Sequence, residues 1–215
     1  LSGCSAGTGT GQEQIDSLAV DYTIEASGTV HAVEKINYDF GAERGRHGID
    51  RFLASRFTTS DGTERVYRYS DVSVTSPSGA SALFSTSLSN ALQIRIGNKN
   101  ATVSGKQSYV ISYDIAGALN SPTLDSGMSV DEFYWNVTGN YWNVPIDKTT
   151  VRVHGPTDTT QIACYTGTSG STAKCADATA VTGGAHFSDG RIFPGEGITI
   201  DLAWPNGTFE NTTAI

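Results

Sequence analysis

Long apolar runs, basic residues, cysteine and helical periodicity are all scarce in this chain, and each scarcity excludes something. No stretch approaches the roughly 18 consecutive apolar residues of a membrane span. The apolar clusters are interrupted by Ser, Asp or Arg every two or three positions, so no segment reads as a spanning helix. Charged residues make up 17% of the chain, and the 14 basic ones are outnumbered by 22 acidic ones, for a net charge of -8. That balance opposes an electrostatic grip on phosphate backbones or anionic lipid, and nucleic acid is not an expected partner. Three cysteines are too few for a disulfide scaffold. A chain of this length, which buries roughly 70% of its unfolded surface, does not need one.

Signatures of catalysis and of metal binding are missing too. There is no Gly-x-Ser-x-Gly elbow, no phosphate-binding Gly-x-x-x-x-Gly-Lys-Ser/Thr loop and no His-Glu-x-x-His pair. Ser171-Thr172-Ala173-Lys174 matches Ser-x-x-Lys but falls between two cysteines, where the required helix has no room. His31, His47, His154 and His186 are dispersed without ligand spacing, and no Asp-x-Asp-x-Asp-Gly calcium loop occurs. No catalytic residue, cofactor or metal ligand is assigned.

What the chain has is glycine, serine, threonine and a period of two. Val20, Tyr22 and Ile24 alternate with polar residues, Ser27-Gly28 turns the chain, and Ile36, Tyr38 and Phe40 alternate again, which predicts a first β-hairpin. The same pattern recurs at Val72-Val74, Leu92-Ile96, Tyr109-Ile115, Phe133-Val137, Val151-Val153, Ile162-Cys164 and Ile198-Trp204, separated by turn signals such as Pro77-Ser78-Gly79 and Pro194-Gly195-Glu196-Gly197. Only Glu13 to Ala19 and Ala116 to Met128 have room for a short helical turn. With no crossover helices, the expected fold is all-β with antiparallel pairing: a two-sheet β-sandwich, immunoglobulin-like or jelly-roll-like. It forms one domain over residues 15–205, after a flexible leader (1–14) and before a polar tail (206–215).

The cysteines divide into two cases. Leu1-Ser2-Gly3-Cys4 fits a lipobox, in which the cysteine carries a lipid; the other reading of Cys4 is a free thiol in a flexible tail. Cys164 and Cys175 flank a short polar loop with two glycines, and a disulfide closing it is the natural reading, with unpaired thiols as the alternative. Such a bond persists outside the reducing cytosol.

Gly48-Ile49-Asp50-Arg51, Tyr113-Asp114-Ile115 followed by Gly117-Ala118-Leu119, Glu132-Phe133-Tyr134-Trp135-Asn136-Val137-Thr138-Gly139-Asn140 and Trp142-Asn143-Val144-Pro145-Ile146 occur in that order. This pattern resembles the amino-terminal extracytoplasmic domain of the DUF2207 family of bacterial membrane proteins. The resemblance implies a secreted domain held at the cytoplasmic membrane through segments that follow it, and it supplies no reaction.

Within that block Tyr134, Trp135, Tyr141 and Trp142 either anchor the core or, where exposed, stack on a sugar ring or a peptide. Asn136 and Asn140 either brace a tight turn or converge on a ligand. Arg51 lies near His47 and Asp50; its planar fork suits a buried pair with Asp114 or Glu132, or capture of a ligand carboxylate. The candidate binding set is therefore His47, Arg51, Asp114, Asn136, Asn140 and Trp142. Three functions compete: a ligand-sensing or protein-interaction domain outside the cytoplasmic membrane, whose partner is a cell-envelope protein or glycan; a structural surface stalk, which a self-formed Lys–Asn crosslink at Lys35, beside Glu34, would favour; and a wall hydrolase, which needs two close carboxylates in a pocket. Membrane contact is expected only through a lipid at Cys4 or through segments outside this chain.

Overall fold

The computed structural model describes residues 11–42, 45–58, 62 and 64–213. Cys4 and most of the leader lie outside them. Fifteen strands are formed among the described residues. In chain order they are β1 (Gln14–Ile24), β2 (Val30–Asp39), β3 (Gly48–Ala54), β4 (Arg56–Thr58), β5 (Glu64–Val66), β6 (Arg68–Thr75), β7 (Phe84–Leu88) and β8 (Ala91–Gly97). There follow β9 (Lys106–Ala116), β10 (Val130–Asn136), β11 (Thr149–His154), β12 (Gln161–Gly167), β13 (Asp177–Val181), β14 (Gly184–Asp189) and β15 (Gly197–Pro205). No helix occurs among the described residues, so the all-β expectation holds.

The alternation in the sequence is the alternation in the structure. Along β2 the residues Val30, Ala32, Glu34, Ile36 and Tyr38 are buried and their neighbours face outward. Gly28, at φ +88°, closes the hairpin to β1 in a backbone conformation that other residues adopt only under strain. Glu13 to Ala19 is not helical. Ile15 and Leu18 are both buried although three residues apart, because a β-bulge between Ile15 and Ser17 inserts an extra residue into the β1–β2 ladder. A spacing of three on one face therefore has a strand explanation here.

Among the described residues four sheets form where two were expected. The largest has the order β13-β14-β11-β1-β2-β9-β6, two have the orders β10-β15-β12 and β3-β8-β7, and β4-β5 is a short ribbon. All pairings within the sheets are antiparallel except one. β11 runs parallel to β1, with Leu18 opposite Thr149 and Thr23 opposite His154. A lack of crossover helices implies exclusively antiparallel pairing, but here the crossover is made by strands: the chain leaves β1 and returns to it only after building β10 in another sheet.

The inward face of the large sheet meets β10-β15-β12 through aromatic contacts. Tyr22 on β1 meets Phe133 on β10 edge-to-face with ring centroids 5.4 Å apart, and Phe133 stacks on Trp135. Trp204 is fully buried at the end of β15 and packs against Phe209, whose N–H donates to Asp131 Oδ2. The residues after Pro205 are thus docked onto the body, and Asn211 Nδ2 reaches back to the carbonyl of Ser27 in the first hairpin turn.

Candidate functional site

On β3, Ile49, Arg51 and Leu53 share the buried face, so a cation occupies a core-facing position. Its partner is Glu34, which the alternation of β2 turns inward to 0% exposure. Arg51 Nε and Nη2 donate to the two carboxylate oxygens of Glu34 at 2.7 and 2.8 Å. Nη2 also donates to the carbonyl of Val137, while Nη1 donates to those of Thr138 and Phe52. All of the guanidinium's N–H groups are therefore engaged inside the protein, leaving none for a ligand. Burial alone would depress the Arg51 pKa, but the charge of Glu34 and its hydrogen bonds raise it instead, so the guanidinium stays charged. The Tyr113 hydroxyl donates to Glu34 Oε1 at 2.5 Å. Burial, followed by the charge of Glu34, pushes that phenol well above its ordinary pKa.

The expected partners of Arg51 sit elsewhere. Asp114 lies on the outward face of β9 and bonds His31 Nδ1 at 2.6 Å, and Glu132 accepts from Asn120 Nδ2. His47 is exposed, with Nδ1 2.8 Å from the carbonyl of Ala101. Lys35 faces solvent 3.6 Å from Asp21 Oδ2, with an aspartate and not an asparagine as its neighbour.

Arg51, Trp142, Asn136 and Asn140 are brought together, since the guanidinium grips the carbonyls at the end of β10 and so fixes the loop that follows. Trp142 is buried, donates from Nε1 to the carbonyl of Thr138, and lies 5.9 Å from the guanidinium carbon. Within the loop Gly139, at φ +68°, donates its N–H to Asn136 Oδ1. Asn136 Nδ2 donates to Asn140 Oδ1, and Asn140 Nδ2 donates to the carbonyl of Gly195. The two asparagines brace a turn, and their outer edges face a cleft.

That cleft has a volume of about 500 Å³ and opens between β10, β12, the β4-β5 ribbon and the loop closed by the Cys164–Cys175 disulfide. Its lining includes Phe57, Tyr67, Tyr134, Asn136, Asn140 and Tyr165, and Thr166–Thr172 form one rim. Alternation explains the exposure: Phe133 and Trp135 point into the core, and Tyr134 and Asn136 point out. Across the sheet Tyr134 faces Asp201, while Asn136 and Tyr165 flank Thr199. Lys174, next to the second half-cystine, places Nζ 3.9 Å from the centre of the Tyr165 ring and ties the rim to the sheet. Burial, reinforced by nearby Glu132 and opposed by Lys174, pushes the Asp201 carboxyl up to about 6. Of these residues, sequence reasoning named the asparagines and Tyr134. Tyr165 and Asp201 escaped it, although the outward positions beside Cys164 and in Ile198-Thr199-Ile200-Asp201-Leu202 were the signal.

A wider groove of about 950 Å³ passes His47, Asp50, Phe84, Arg95, Tyr141 and Trp142. Among the described residues no group of three or more His, Cys, Asp or Glu is placed to hold a metal ion, and no helix is long and apolar enough to cross a membrane.

No curated protein matches the chain in sequence. Among solved structures, native leukotriene A4 hydrolase from Saccharomyces cerevisiae is similar to 91% of this chain, with a TM-score of 0.53 and 10% identity. A second structure of the native yeast enzyme gives 0.54, 9% and 91%. The chain spans 30% and 29% of those two chains, and the likeness is one of fold. A family model does match, over residues 14–204, nearly the whole of the described chain. The chain belongs to the family of N-terminal domains of the predicted membrane proteins termed DUF2207.

Proposed function

We propose that this domain is a binding module that its parent membrane protein displays outside the cytoplasmic membrane, and that the cleft beside the disulfide loop takes a neutral, hydroxyl-rich ligand, a segment of an envelope glycan. The observation that carries this reading is the cleft lining. Tyr134 and Phe57 are 42% and 46% exposed, where large aromatics are ordinarily buried, and they stand beside the amides of Asn136 and Asn140 and the hydroxyls of the Thr166–Thr172 rim. Aromatic platforms flanked by amides and hydroxyls suit a sugar ring, with its apolar faces and polar edge. Among the described lining residues the only charged side chain is Arg56, and there is no carboxylate pair of the kind glycoside hydrolysis needs. The disulfide supports an oxidising location. The aromatic contacts between the large sheet and β10-β15-β12 support reading the architecture as a sandwich with added ribbons.

A structural stalk is the second reading, favoured by the saturated Arg51 clamp. Titration of isotope-labelled protein with neutral amino-sugar oligosaccharides separates the two. Binding is expected to shift the amides of Tyr134, Asn136, Tyr165 and 166–172, and Tyr134→Ala is expected to weaken it by about tenfold or more with thermal unfolding unchanged. Absence of saturable shifts at the cleft would remove the glycan reading, and saturation by an extended peptide instead would reassign the ligand.

A further inference from the structure

Strand β7 is an edge without protection. Among the described residues it pairs only with β8, and each of its residues, Phe84 to Leu88, is exposed. Natural edge strands are shielded by charge, proline or a bulge. β7 has none of these: its register with β8 is unbroken, and no charged residue occurs from Ser76 to Ile94. Its apolar side chains continue the core face of the sheet, because Phe84, Thr86 and Leu88 lie opposite Ile96, Ile94 and Leu92. Ile94 and Ile96 are buried to 0% and 1%, yet Phe84 and Leu88 are 42% and 68% exposed, and Leu83 just before them is 63% exposed. This is an apolar face that outruns the layer covering it.

The hydrogen bonds show which backbone groups are free. The N–H of Gly97 donates to the carbonyl of Leu83, and that of Ser89 donates to the carbonyl of Ala91. Odd-numbered residues therefore turn their main-chain groups toward β8, and Phe84, Thr86 and Leu88 turn theirs toward the open edge. The sequence Phe84-Ser85-Thr86-Ser87-Leu88 also reads nearly the same in both directions. We propose that β7 pairs antiparallel with β7 of a second copy of this chain, about a twofold axis through Thr86. Phe84 then faces Leu88 of the other copy, Ser85 faces Ser87, and Thr86 faces itself, so each outward-turned pair exchanges two main-chain bonds. A twofold contact requires such self-complementarity, which an arbitrary edge does not have. Two chains of net charge -8 repel each other, and this pairing joins them along a stretch free of charge.

Sedimentation of the whole chain from about 1 µM to about 1 mM tests the proposal; the average mass is expected to rise from 22.7 kDa toward twice that value. Thr86→Pro removes the central outward N–H and no bond to β8, and is expected to weaken self-association by about tenfold or more while near-ultraviolet dichroism is unchanged. If Thr86→Pro disturbs the fold, a second variant decides. In a Cys4→Ser background, Thr86→Cys sits on the axis, where facing Cα atoms are about 5.5 Å apart and a disulfide can close. It is expected to form a covalent dimer under mild oxidation, and Ser85→Cys is not. A chain that stays monomeric throughout, a dimer indifferent to Thr86→Pro, or equal crosslinking at both positions would overturn the pairing. A monomer whose strip binds lipid vesicles or an extended peptide would give β7 another occupant and would equally overturn it.

Discussion

Replacing Arg51 by alanine would leave the Glu34 carboxylate at 0% exposure with the Tyr113 hydroxyl as its remaining partner. Removing one member of a buried ion pair costs about 3–5 kcal/mol. The carbonyl of Val137 would also lose its Arg51 donor, for about 1–3 kcal/mol more, whereas the carbonyl of Thr138 keeps the Trp142 indole. A loss of about 5 kcal/mol is comparable to the whole stability of many domains. In urea, at a slope of about 2–3 kcal/mol per molar, it moves the midpoint down by about 2 M. The fluorescence of the buried Trp135, Trp142 and Trp204 reports the transition. Arg51→Lys keeps the charge but has no planar fork, and should lose about 2 kcal/mol. The decisive variant is Arg51→Met with Glu34→Leu. It removes both charges together, so it should be less destabilised than the sum of the single changes by about 2 kcal/mol or more. An Arg51→Ala loss below about 1 kcal/mol, or strict additivity in the cycle, would refute the clamp.

Two further outcomes follow from the cleft and the strand behind it. Changing Cys164 and Cys175 together to serine frees the loop and should lower stability by about 3 kcal/mol, read as a urea midpoint that reductant shifts in the wild type and not in the variant; equal midpoints would contradict it. Asp201 binds its proton more tightly folded than unfolded, so its contribution is complete below the ordinary carboxylate range and is lost as pH rises through about 6. Asp201→Asn should therefore stabilise the fold by about 1 kcal/mol at pH 8, allowing for solvent screening, and have almost no effect at pH 4. Parallel pH profiles of thermal unfolding would show the carboxylate to be unperturbed.

The strands that were legible in the sequence are those whose inward residues are apolar, such as β2, β9, β10 and β15. β3 was missed because Arg51 holds one of its inward positions, so the alternation Ile49-Arg51-Leu53 reads as broken. β7 and β13 were missed because their residues are mostly exposed and no face declares itself. The partner of Arg51 was within reach: the alternation through Ile36, Tyr38 and Phe40, extended back two residues, places Glu34 on the inward side. Asp114 and Glu132, the partners expected for a buried pair, instead take outward positions on β9 and β10. The parallel pairing of β1 with β11 was illegible for a different reason. Local pattern specifies which face of a strand is inward and says nothing about which distant strand lies beside it.

That pairing has a consequence for how the chain is made. Thr149 lies 131 positions after Leu18, its neighbour in the sheet. The first hairpin is complete at Asp39, 110 positions before Thr149, so at a synthesis rate of about 5–20 residues per second the β11 side of β1 stays open for roughly 6–22 s more. Throughout that interval a greasy ribbon carrying Leu18, Val20, Tyr22 and Ile24 waits with one flank uncovered, and closing so long a detour is intrinsically slow. Until β11 arrives the first hairpin is an incomplete sheet, so the order of the large sheet is settled only by the second half of the chain.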